Sequence, residues 1–95
     1  MNKKFVRTLC KKIEPYAGEV LINMVERLGW THTEILTIYG IPLNRQSEII
    51  SGHKTNGLSV AVLSMMIKNE LLTLDGIVGN VSGLTEEEGQ YLQSI

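Results

Sequence analysis

Cysteine is almost missing from this chain. Cys10 is the one thiol in 95 residues, so no internal disulfide can form, and a reducing cytoplasm is the expected setting. It has no suitable histidine or acid partner nearby in sequence to activate it, which favours a packing or surface thiol over a nucleophile. Aromatic residues make up 5% of the chain, too few for the stacking platforms by which RNA and single-strand readers hold bases. No apolar run approaches the roughly 18 to 20 residues that cross a bilayer. The opening Asn2-Lys3-Lys4-Phe5-Val6-Arg7 is basic like the start of a secretion signal, but Lys11, Lys12 and Glu14 prevent an apolar stretch from forming after it, so no leader is expected. Also missing are a nucleophile paired with a base, two carboxylates placed for acid–base work, and a phosphate-cradling loop. Gly76, Gly79 and Gly83 have no buried strand before them to build such a loop. His32 and His53 lack cysteine or paired acids for a metal site. The expectation is a protein that is not an enzyme and takes no cofactor or metal.

What is present fits one soluble domain, residues 1–95, with 43% hydrophobic and 20% charged residues. The net charge of −1 conceals a split. Residues 1–12 hold Lys3, Lys4, Arg7, Lys11 and Lys12 and no acid, giving +5, while the other four basic residues and all ten acids leave the remainder at −6. Such a chain can offer a cationic end to a phosphate backbone while staying near neutral overall.

Glycine and proline punctuate short periodic segments, the pattern of an all-α bundle of about five short helices. A basic first helix is predicted over 2–13, with Phe5, Val6, Leu9 and Ile13 on one face. Pro15 breaks it or starts a second, which keeps helical spacing to Leu28 through Ala17, Val20, Leu21, Met24 and Val25 and stops at Gly29. Thr31 and Glu34 form a capping box for a helix to about Tyr39, ended by Gly40. Ile35, Leu36 and Ile38 there read as core, and Trp30 and Tyr39 as hydrophobic anchors near the helix ends. After the turn Ile41-Pro42-Leu43, Asn44 is the expected N-cap of a helix to Ser51, stopped by Gly52, with Ile49 and Ile50 in the core. An apolar helix should cover about 58–71, with Met65, Met66 and Ile67 packed inside. Residues 71–81 suit either an Asp-Gly hairpin or a short helix capped by Thr73, the helix being more consistent with the rest. A second capping box, Thr85 with Glu88, opens a short helix in the acidic tail 80–95. Glu86, Glu87 and Glu88 there read as a solvated helix start.

Two short helices joined by a tight turn after a glycine, 31–52, are the arrangement of a helix-turn-helix. Asn44, Arg45, Gln46, Ser47, Glu48 and Ser51 give the second helix side chains able to read base edges: asparagine and glutamine suit adenine, and arginine suits guanine. Gly29-Trp30-Thr31-His32-Thr33-Glu34-Ile35-Leu36-Thr37-Ile38-Tyr39-Gly40-Ile41 resembles the glycine, apolar, threonine, glutamine, leucine, alanine, glycine, aliphatic stretch of the Xre/Cro-type repressor family. Ser51-Gly52-His53-Lys54-Thr55-Asn56, with Leu58 close behind, resembles the end of that family's recognition helix. The resemblance spans about 20–66. His32 stands where the family has glutamine, Leu36 where it has alanine, and Glu48 where many members have arginine. Gln46 replaces a buried aliphatic, so it is either semi-buried and hydrogen-bonded or turned toward DNA.

The resemblance implies a lambda-repressor-like fold and a role for each matching residue. His32 and Thr33 would meet phosphate at a helix N-terminus. Asn44, Arg45, Ser47, Glu48 and Ser51, with Gln46 if the helix is rotated, would face the major groove. His53, Lys54, Thr55 and Asn56 would grip the backbone beyond it. Lys3, Lys4, Arg7 and Lys11 could add an arm, a region on which the resemblance is silent. The expected function is that of a transcriptional regulator, a repressor of a phage or other mobile-element promoter, binding double-stranded DNA as a homodimer. The competing expectation is a protein-binding module, an antitoxin or anti-regulator, whose protein partner docks through the same helices or the acidic C-terminal region.

Overall fold

The computed structural model describes residues 2–52 and 58–95 and is all-helical there, with six helices: α1 (Lys3–Leu28), α2 (His32–Ile38), α3 (Leu43–Gly52), α4 (Val60–Lys68), α5 (Leu74–Asn80) and α6 (Glu86–Ser94). No helix among the described residues is long and apolar enough to cross a membrane.

α1 is the spine, and it corrects the expectation of two helices separated at Pro15. It runs unbroken from Lys3 to Leu28 with Pro15 inside. An interior proline removes one backbone hydrogen bond and crowds the preceding turn, at about 3 kcal/mol. The opposing term is larger. Leu9, Ile13, Ala17 and Leu21 recur every four residues on both sides of Pro15 and are all buried. Burying each large aliphatic side chain contributes roughly 1.5–3 kcal/mol. Pro15 lies on the exposed side, where water can satisfy the carbonyl it orphans. α1 starts at Asn2, whose side chain accepts from the Lys4 amide at 2.8 Å. It ends at Gly29, held at φ 68°, a left-handed turn that glycine adopts without strain.

α2, α3, α4 and α5 pack along this spine. Their buried side chains, Leu36, Ile49, Val62, Leu63, Met66 and Ile77 among them, close one core with Leu9, Ile13 and Leu21. α4 is shorter than its apolar run predicts, because Leu58 and Leu71 are buried from outside the helix. Its C-terminus closes with the Leu71 amide donating to the Met66 carbonyl at 2.9 Å and Glu70 to Ile67 at 3.0 Å. This is a Schellman turn whose left-handed position is filled by Glu70 at φ 62° instead of glycine. Of the two alternatives for residues 71–81 the helix is the one found: α5 covers Leu74–Asn80, and Thr73 caps it by accepting from the Gly76 amide at 3.0 Å.

α6 is capped by the reciprocal Thr85–Glu88 box, but Glu88 is not solvated as its acidic neighbourhood suggests. Its side chain is buried and takes a 2.7 Å ion pair from Lys12 of α1. Lys12 also donates to the Gly83 carbonyl at 2.8 Å, and Phe5 meets Tyr91 edge to face at 5.9 Å. The acidic C-terminal segment is therefore an ordered helix fastened to the basic first turns of α1. Two hydrophobic assignments also change. Ile38 is 61% exposed and Trp30 40%, so neither belongs to the core, whose α2 contribution is Ile35 and Leu36.

Candidate functional site

The α2–α3 connection is built by its own sequence. α2 begins at the Thr31 capping box, with the Glu34 amide donating to the Thr31 hydroxyl at 3.2 Å and the Thr31 amide to the Glu34 carboxylate at 3.2 Å. It ends in a second Schellman turn: the Ile41 amide donates to the Leu36 carbonyl at 3.0 Å and Gly40 to Thr37 at 3.0 Å, with Gly40 at φ 76°. Ile41 turns inward and is buried. α3 then starts at Leu43, one residue before the expected Asn44 cap. The Arg45 and Gln46 amides both donate to the Pro42 carbonyl, at 2.9 and 3.2 Å, so the first turn closes on Pro42 and Asn44 lies within it.

Gln46 decides how α3 is seated. It is 3% exposed, which removes it from the groove-facing residues and selects the semi-buried alternative. Its Nε2 donates to the Ile41 carbonyl at 2.8 Å and to the Thr37 hydroxyl at 3.2 Å. The carbonyl needs a donor because the Arg45 amide bonds to Pro42 instead. Among the described residues Gln46 Oε1 is buried without a partner, a cost of roughly 1–3 kcal/mol. One residue thus joins α2, the turn and α3. Ile49, buried one helical turn further on, completes the inner face of α3.

With Gln46 and Ile49 inward, helical spacing turns Asn44 and Ser47 outward, and both are exposed, as is Leu43 at the start of the helix. Arg45 is half-buried and makes an interaction within the chain. Glu48 and Ser51 lie within α3, but their side chains fall outside the described residues, as do His53, Lys54, Thr55 and Asn56. At the start of α2, Thr33 is exposed and His32 half-buried. The Glu34 carboxylate already occupies the Thr31 amide there. A phosphate at that end would meet a negative charge as well as the helix dipole.

Leu43, 74% exposed, is the residue that sequence reading misses by placing it in the turn. Spacing from Gln46 and Ile49 gives no signal for this, since a residue three before Gln46 falls beside the buried row; its exposure comes from its place at the open start of α3.

The basic end of α1 divides between two neighbours. Lys3 and Arg7 line a cleft with Ser59 and Val60 at the start of α4, and Lys4 and Lys12 line another with Glu87 and Glu88 of α6. Lys12 is occupied by its ion pair, while Lys3, Lys4, Arg7 and Lys11 remain exposed.

Burial pushes the Glu88 carboxyl upward, but the hydrogen bonds from Lys12 and Thr85, with the Lys12 charge, outweigh it and hold it below the usual glutamate range. Burial, then the Glu14 carboxylate, push the Cys10 thiol up to about 11, so it stays protonated near neutral pH. Among the described residues no group of three or more histidine, cysteine or acidic side chains could hold a metal ion. No family model, curated protein or solved structure matches this chain.

Proposed function

We propose that this chain is a sequence-specific DNA-binding transcriptional regulator: a helix-turn-helix protein in which α2 braces α3 and α3 enters the major groove. The carrying observation is the division of α3 into a face pinned inward by Gln46 and Ile49 and an outward face presenting Asn44 and Ser47. Groove recognition asks for such a helix, held rigidly on one side and offering hydrogen-bonding side chains on the other. Asn44 is the foremost base-reading residue, since an amide can bond bidentately to adenine. Ser47 stands beside it. Arg45 reaches guanine or phosphate by exchanging its contact within the chain. Lys3 and Arg7, next to the start of α4, supply phosphate contacts that orient the domain. The short reading helix covers few base pairs, so the working species is a homodimer on a two-fold site. Repression of a phage or other mobile-element promoter in the cytoplasm is the setting that matches the sequence resemblance.

Binding-site selection from random duplexes tests this reading. The expected result is a palindrome with half-sites about one helical turn apart, and recovery of unselected sequence overturns it.

A second reading, a module that binds another protein, is favoured by one observation: Ile38 and Trp30 expose apolar surface on and beside α2. Co-purification of a stoichiometric protein partner, with no enrichment of duplex DNA, would decide for it.

A further inference from the structure

We infer that Leu43 is a specificity-determining residue that packs against the 5-methyl group of a thymine in the bound duplex. The inference rests on the DNA-reading role proposed for α3. Leu43 is the most exposed large hydrophobic side chain of the described chain, at 74%, and the first residue of α3. Core packing does not account for it, because the inner face of the helix is filled by Gln46 and Ile49. It stands one turn from Ser47 and next to Asn44 in the first turn of α3, and all three are exposed.

In the major groove the only apolar feature on a base edge is the thymine methyl, which distinguishes T·A from every other pair by contact instead of hydrogen bonding. Thymine's partner, adenine, presents the N6 donor and N7 acceptor that an asparagine amide matches. A leucine and an asparagine consecutive in the exposed first turn of one helix therefore suit an adenine and thymine within one or two base steps. Leu43 gives the site a preference for T over C or U, and Asn44 supplies the polar half of the same recognition.

The test uses the full chain and the duplex it selects. Each thymine is replaced singly by deoxyuridine, which removes the methyl and leaves the pairing unchanged. Affinities are measured for the wild-type chain and for Leu43→Ala. That variant folds, because the position is exposed and alanine favours the helix. At one thymine per half-site, removing the methyl should weaken the wild-type chain about fourfold, the effect of one buried methyl. At the same position Leu43→Ala should bind the two duplexes equally. Two results overturn the inference: no thymine responding to methyl removal, or Leu43→Ala losing affinity equally on thymine and deoxyuridine duplexes, as a protein–protein contact would produce. If the wild-type chain selects no sequence at all, the reading of α3 fails first and the inference with it, an outcome distinct from selection without a methyl effect.

Discussion

The side-chain amide of Gln46 donates to the carbonyl of Ile41 at 2.8 Å inside the protein. By that bond α3 is tied to the turn that precedes it, and Thr37 extends the tie to α2. Two opposing terms meet in this glutamine: a satisfied turn carbonyl and an orphaned Oε1. Gln46→Ala removes the bond and leaves a void, and should cost about 2–3 kcal/mol of stability. Gln46→Leu fills the space and exchanges the orphaned Oε1 for an orphaned Ile41 carbonyl, two terms of similar size that largely cancel, so it should cost no more than about 1 kcal/mol. Urea unfolding of the two variants gives both numbers, and equal losses would contradict this division.

The Lys12–Glu88 pair makes stability depend on acid. Glu88 titrates lower folded than unfolded, so its contribution is fully present above the unfolded value of about 4.5. It is lost as pH falls through the lower folded value. Lys12→Met leaves a buried carboxylate without its cation and should cost about 2–3 kcal/mol at neutral pH. The acid-limb dependence should flatten at the same time. Unfolding midpoints across pH 3–7 check both.

Two backbone positions should respond in opposite directions. A Cβ added at Gly76 would lie 2.5 Å from the Tyr16 hydroxyl and 2.8 Å from the Thr73 hydroxyl, where α5 approaches α1. Gly76→Ala should therefore lower stability by about 1–3 kcal/mol despite alanine's better helix propensity. Glu70→Gly relieves the left-handed strain at φ 62° and should raise stability by roughly 0.5–1 kcal/mol. Thermal midpoints of the two variants give the signs.

Cys10 should be inert. It is buried, with a thiol pushed up to about 11, so thiol reagents at neutral pH should modify it only as fast as the core opens. Alkylation rates with and without denaturant measure this, and rapid labelling of the folded chain would contradict it.

Where structure was legible in the sequence, the signals were local. The Thr31 and Thr85 capping boxes, the Gly29 and Gly40 turns and the Thr73 cap each rest on a few adjacent residues. What could not be read depended on distant packing. Pro15 stays helical because Leu9, Ile13, Ala17 and Leu21 are buried together along one core. Glu88 is buried because Lys12 stands opposite, 76 residues away in sequence. Ile38 shares the helix of Ile35 and Leu36 but leaves the core, a choice set by which face of α2 meets its neighbours. In the candidate site, Asn44 and Ser47 are exposed on α3, with Asn44 inside its first turn and not at the cap position the pattern predicts. Gln46 could be placed only once Ile41 supplied its acceptor, and Leu43 only once the start of α3 was fixed.

Whether the outer face of α3 reads base sequence is tested most directly by titration. The wild-type chain and Asn44→Ala/Ser47→Ala are each titrated against the selected duplex and a scrambled one, at about 50 and 200 mM salt. The wild-type chain should favour the selected duplex by about a thousandfold or more. The double variant should lose at least about tenfold of that preference, while the slope of affinity with salt stays the same, because the phosphate contacts remain. Equal binding of both duplexes by the wild-type chain would contradict a base-reading role for α3.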